Sequence, residues 1–291
     1  MASRHPGEAS WSVDEIPYQA LVRERVISDT LLFYLITAAS FIEITSDVYT
    51  RNLVEFMHDD REVVEWLERS WEHEEVQHGT ALKRYVQTAW PDFDWDAAYR
   101  HFLAEFSCLC SVDQLARSPA LEMAARCVVE TGTSTFYRML AASSHEPVLT
   151  QIASKISFDE VRHYKHFYRY FRRFRENERL GRGAVLHMLW KRVGEIDAED
   201  AHCAFKHAFI ARNPGTEFDE RYYMIFRDRL RPLARQYFPH QMAMSMLLQP
   251  LELNNGLKRM LVPTIASATR FLLLAGAKWN AKGERGGFWS D

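Results

Sequence analysis

Cysteine is scarce in this chain: Cys108, Cys110, Cys127 and Cys203 are the only four, and none forms a Cys-x-x-Cys pair. That excludes the thiolate knuckles of structural zinc and of rubredoxin-type iron. Three of the four fall on apolar helical faces, where a thiol packs as a small hydrophobe, in keeping with a reducing, cytoplasmic setting. An excess of one charge is missing too. With 36 Lys and Arg against 39 Asp and Glu, the net charge of −3 makes no general case for nucleic acid. The first 17 residues lack the charged-then-apolar order of a secretory leader. The apolar run over 260–277 holds Pro263 and Arg270 and comes after Lys258 and Arg259, which argues against a membrane span. Alternation at period two is nowhere sustained, so no strand is expected. The composition that is present, 291 residues at 47% hydrophobic and 26% charged, suits one large globular unit or a core domain with an appendage.

The periodicity is helical. A polar lead-in over 1–27 holds a short helix around 16–26, and a first long helix over 28–57 carries Ile36, Ala39, Ser40, Glu43 and Asp47 at helical spacing. Asp60 caps a second helix, whose inner stripe is Trp71, Glu75, His78, Leu82 and Tyr85 and which ends at Pro91. A connecting helix over 94–112 carries the chain across, so that a third helix can pair with the first. Ser118-Pro119 opens that third helix, to about 143, with a capping hydroxyl and a proline at the first helical position. Glu146-Pro147 opens a fourth, with Ala153, Ile156, Glu160, His163 and Phe167 facing in, broken at Gly181. The reading is all-α: a helical bundle over 28–180, a helical extension over 181–280 and a flexible tail over 281–291.

Two stretches carry the chemistry. In Glu74-Glu75-Val76-Gln77-His78 a carboxylate and an imidazole stand at i and i+3, on one helix face. Asp159-Glu160-Val161-Arg162-His163 repeats the device. Each is preceded by a helix with one Glu among apolar residues, Glu43 and Glu130, at separations of 32 and 30 residues. A carboxylate on an apolar face is costly unless paired or bound to metal. One Glu-x-x-His is commonplace on exposed helices. Two in register with two core glutamates form the ligand set of a two-metal centre in a ferritin-like four-helix bundle, here with added C-terminal helices. On this reading Glu43 and His78 bind one metal, Glu130 and His163 the other, and Glu75 and Glu160 bridge. The ligands suit two iron ions, with manganese possible at one position. Glu74 and Asp159 stand where each could accept a hydrogen bond from the opposite histidine. Thr133, on the face beside the metals, either positions O2 or a proton or simply fills space. Tyr137 reads as core, His166 lies either behind the ligands or exposed, and Phe33, Phe41, Trp71 and Phe167 either wall an apolar pocket or are plain core.

At these residues the chain resembles a known group. Trp71-x-x-x-Glu75-x-x-His78-Gly79-x-x-Leu82-x-x-Tyr85, Asp159-Glu160-Val161-Arg162-His163 and Glu130-x-x-Thr133 resemble the metal motifs of soluble acyl-carrier-protein desaturases. The Glu and Glu-x-x-His pattern is also similar to that of rubrerythrins and aldehyde-deformylating oxygenases. Over residues 30–170 the resemblance implies an O2-dependent di-iron oxygenase or oxidase, a hydroxylase or desaturase. Glu43, Glu75, His78, Glu130, Glu160 and His163 would be its ligands, Thr133 an active-site hydroxyl and Asp159 an acid behind the ligands. It further implies a hydrophobic or carrier-bound organic substrate, an external electron donor and a homodimer. Gln77 departs from the arginine usual before the histidine in desaturases, and Ile156 from the extra histidine of arylamine N-oxygenases. Alternatives in the same group are an iron-oxidising or peroxide-detoxifying protein and an amine N-oxygenase. The run Lys165, Arg169, Arg172, Arg173, Arg175, Arg179 and Arg182 either answers the dipole of the fourth helix or offers a docking face to an acidic carrier protein or an RNA.

Overall fold

The computed structural model describes residues 11–110, 112, 115–195 and 200–276; the end of the expected extension, 277–280, and the tail expected over 281–291 lie outside them. Among the described residues all regular structure is helical: α1 (Thr30–Ile44), α2 (Ser46–Phe56), α3 (Arg61–Trp66), α4 (Glu72–Ala89), α5 (Trp95–Phe106), α6 (Pro119–Ser143), α7 (Pro147–Glu178), α8 (Arg182–Glu195), α9 (Asp200–Arg212), α10 (Glu220–Tyr237), α11 (His240–Leu247) and α12 (Asn255–Gly276). Side chains set the starts. Asp29, Asp60, Asp94 and Ser118 accept from the backbone N–H three residues on, at 2.8, 3.2, 2.9 and 3.4 Å, so a donor the first turn leaves open is satisfied. Pro119 and Pro147 take the first positions of α6 and α7, where no N–H is needed.

Several expected boundaries differ, some for a local reason. The helix expected over 28–57 is two helices, interrupted at Thr45 (φ −94°, ψ 9°). Hydroxyls compete for carbonyls there: Thr45 Oγ1 donates to Phe41 O at 2.7 Å and Ser46 Oγ donates to Glu43 O. The second expected helix contains a five-residue π turn, Leu67–Trp71, between α3 and α4. Such a turn takes in an extra residue and so resets the face that α4 presents. Among the described residues the lead-in forms three 3-10 turns rather than one helix over 16–26. The connecting helix stops at Phe106 and packs on α9 and α1. The main partner of α6 is α7, while α1 packs along α4, so the third helix does not pair chiefly with the first.

The core is two hydrophobic clusters. One gathers Phe33 and Phe41 from α1, Leu82 and Tyr85 from α4, Tyr137 from α6 and Ile156 from α7. The other gathers Leu53 from α2, Trp71 from the π turn, Val128 from α6 and Phe167 from α7. Between them α1, α4, α6 and α7 each turn polar while staying buried, at Glu43, at Glu75 and His78, at Glu130, and at Asp159, Glu160 and His163. The segment Thr30–Phe56 contains an 18-residue window of mean hydropathy 1.5, apolar enough to cross a membrane, yet 61% of that window is buried inside the molecule, and Glu43 lies midway along the segment.

Candidate metal centre

The six side chains singled out by spacing meet in this polar layer. Glu43, Glu75, His78 and Glu160 form one group, and Glu75, Glu130, Glu160 and His163 a second; within each, the potential ligand atoms lie within 4.8 Å of one another. Glu75 and Glu160 belong to both. All six are at most 7% exposed.

Each of five of these residues is held by one atom and leaves the other to the shared space. Tyr137 donates to Glu43 Oε1 at 2.5 Å, Trp71 Nε1 to Glu130 Oε1 at 3.2 Å and Thr133 Oγ1 to Glu160 Oε2 at 2.8 Å. His78 Nε2 meets Asp159 Oδ2 at 3.2 Å, and His163 Nε2 meets Glu74 Oε2 at 2.7 Å. The opposite atoms converge: His78 Nδ1 lies 3.0 Å from Glu160 Oε1, and His163 Nδ1 lies 2.9 Å from Glu75 Oε1 and 3.7 Å from Glu130 Oε2. Yet His78 Nδ1, His163 Nδ1, Glu130 Oε2 and Glu160 Oε1 are buried without a hydrogen bond of acceptable geometry. Buried polar atoms are nearly always satisfied. Four that are not, all facing one another, fit a cation as the missing partner.

The electrostatics agree. Burial, then the charges of Glu160 and Glu43, push the Glu75 carboxyl well above its usual range. Burial and Glu160 push Glu130 up to about 8. Glu160 goes the other way: burial would raise it, but the imidazoles of His163 and His78 beside it hold it well below. Burial opposes charge on both histidines, but the carboxylates around them win and hold both well above the ordinary imidazole value. Without a cation the cluster therefore retains protons in its place, and metal must displace them.

No family model, curated protein or solved structure matches this chain.

The geometry of the site includes residues the spacing alone did not single out. Arg162 bridges the two carboxylates behind the histidines, at 2.8 Å from Glu74 Oε1 and 2.7 Å from Asp159 Oδ1. Asp159 is thus a positioning residue whose bonds run to His78, Arg162 and Trp11. Trp11, from the lead-in, donates to Asp159 Oδ2 at 2.7 Å and stacks on His78, with centroids 6.1 Å apart and planes 9° from parallel. Only its aromatic character and its place before a helical chain could have hinted at this. Trp11→Phe keeps a ring but loses the donor. The loss of a bond to a charged acceptor, about 1.5–3 kcal/mol, should appear as a lower melting temperature and a faster loss of metal to chelator, whereas an unchanged chelation rate would leave Trp11 a packing residue.

Other expectations land elsewhere. Tyr137 is buried as expected but bonds Glu43, a role beyond packing. His166 stacks on Trp66, at 4.9 Å between centroids. Phe33 packs with Trp90 and Phe93, and Phe41 with Trp95 and Phe102, as members of the hydrophobic core. Trp71 and Phe167 pack together beside the site, 5.7 Å apart. Much of the basic run is engaged within the chain: Arg169 pairs with Glu62, Arg173 with Glu62 and Asp60, and Arg172 and Arg175 with Glu252. A third group of ligand-like spacing joins an acid, a thiol and an imidazole: Glu105, Cys203 and His207. There, Lys206 Nζ already lies 2.9 and 2.8 Å from the two Glu105 oxygens, where a metal's charge would stand.

Proposed function

We propose that this chain is an O2-dependent oxidoreductase with two iron ions in a ferritin-like, carboxylate-bridged centre, oxidising a small or carrier-bound organic substrate with electrons from an external donor. The observation that carries this reading is the sharing of Glu75 and Glu160 between two ligand groups whose histidines each keep one ring nitrogen without a partner. Glu43 and His78 would hold one ion, Glu130 and His163 the other, and Glu75 and Glu160 both. Four carboxylates balance two divalent charges, and the oxygen-rich donor set suits iron, with manganese possible at one position. When bound, the pair supplies the redox electrons that O2 chemistry needs.

The protein's own part is to orient and to dry the site. Tyr137, Trp71 and Thr133 fix one oxygen of each of three glutamates, so the remaining oxygens need no reorganisation to receive an ion. Glu74 and Asp159, tied together by Arg162, fix the ring orientation of both histidines. The hydrophobic clusters above and below exclude water. Thr133 Oγ1, which donates to Glu160 Oε2 at 2.8 Å, would hold a proton beside that carboxylate.

Anaerobic loading with ferrous iron, then elemental analysis, should give two irons per chain. Air should then cause O2 uptake that, with a reductant, yields an oxidised organic product from candidate substrates. Ferric mineral without organic product would replace this reading with iron detoxification. Failure to retain any metal would remove its basis.

A further inference from the structure

Away from the acidic layer, α6, α10, α11 and α12 surround a surface cavity of about 660 Å³. Three arginines line it, each from a different helix: Arg138 of α6, Arg235 of α10 and Arg270 of α12. Unlike the arginines of α7, none of the three has an ion pair or side-chain hydrogen bond among the described residues, and no carboxylate lines the cavity. Three like charges around one space repel one another unless something neutralises them.

Two independent features point to what does. His240, the first residue of α11, also lines the cavity and is 9% exposed. Its Nδ1 is engaged with Thr269 Oγ1 at 3.3 Å, while its Nε2 is buried with no partner. The start of α11 has no side-chain cap; the His240 N–H donates to Phe238 O at 2.9 Å, which leaves the N–H groups of Gln241 and Met242 for a ligand. Uncapped helix starts favour anions, and guanidinium forks match the oxygens of phosphate. Phe238 and Met242 add an apolar wall. The volume lies in the range of small-molecule pockets, about 300–1,000 Å³.

We propose that this cavity binds a small organic molecule through a phosphate or diphosphate group, held by Arg138, Arg235, Arg270 and the backbone N–H groups of Gln241 and Met242 at the start of α11. A charge of three positives suits a multiply charged phosphate better than a single carboxylate. The site does not depend on the metal reading: Arg138 lies eight residues beyond Glu130, about 12 Å along α6.

Calorimetry on the full chain at physiological salt, with inorganic pyrophosphate as probe, tests it. Saturable binding at one pyrophosphate per chain is expected. Each of Arg235→Gln and Arg270→Gln should weaken it about tenfold or more, the size of a lost charge-assisted hydrogen bond. Both variants should keep the wild-type circular dichroism and iron content, which separates loss of the site from loss of the fold. Pyrophosphate binding that is absent, or equally tight in the double variant, overturns the proposal. So does tight binding of a single-stranded RNA that free pyrophosphate fails to displace.

Discussion

Glu75→Gln is expected to make the metal-free protein more stable and to cost it at least about 100-fold in metal affinity. The two effects share one cause. Glu75 is buried against Glu160 and Glu43, whose charges, added to its desolvation, push its carboxyl well above the usual range. A glutamine has the same shape and no charge, so the metal-free repulsion is relieved, while the oxygen shared by both groups is lost as an anionic ligand. A carboxyl whose folded pKa lies above its unfolded value takes up a proton on folding, so its contribution falls as pH rises from 4.5. The advantage of the variant should therefore grow between pH 5 and pH 8. Each kcal/mol gained would raise the melting temperature by roughly 2 °C in a chain of this size. Calorimetry of metal-free samples across that pH range, with elemental analysis of loaded ones, reads both. A variant that binds two metals as tightly as the parent would mean Glu75 is no ligand.

Gly79→Ala is expected to be the most damaging single-methyl change near the site. In an ordinary helix interior the substitution gains about 1 kcal/mol. Here the added Cβ would stand 2.3 Å from Ile44 N and 2.6 Å from Ile44 Cα, backbone atoms that no rotamer can move aside. α1 and α4 must separate, and overpacking of this kind costs about 1–3 kcal/mol or more. Ile44 is next to Glu43 and Gly79 next to His78, so the separation opens the site between them, where His78 Nδ1 and Glu43 Oε2 are 3.8 Å apart. Metal content should fall along with the melting temperature. Gly132→Ala is the control: it sits mid-α6, two residues from Glu130, and its Cβ would meet nothing within 4 Å. It should stabilise by the ordinary helix gain of about 0.5–1 kcal/mol. Equal behaviour of the two variants would show that the close approach at Gly79 has slack.

Much of the site was legible because its devices are local. Glu75 and His78, and Glu160 and His163, share a face in any helix, and Glu43 and Glu130 stood out as charges on apolar faces. Even the crossed pairing of Glu74 with His163 and Asp159 with His78 could be read from the likeness of the two halves. The helix starts at Ser118-Pro119 and Glu146-Pro147 were readable for the same reason. The break at Thr45 and the π turn before α4 were not, because side-chain competition for a carbonyl and one extra residue in a turn leave the apolar period almost unchanged. Packing of α8, α10 and α11 on α6 was equally hidden, since contacts between distant helices have no spacing rule.

By itself the sequence determined that the chain is helical, where its main helices start, and which six side chains could share a layer, because helical spacing and capping act within one or two turns. Only the tertiary structure decided that α1 lies against α4 at Gly79, that Trp11 returns to cover His78, and which oxygen of each glutamate is tied down and which is left facing the shared space. Those outcomes depend on contacts between residues up to 148 positions apart. They are settled by the packing of whole helices rather than by any neighbour along the chain.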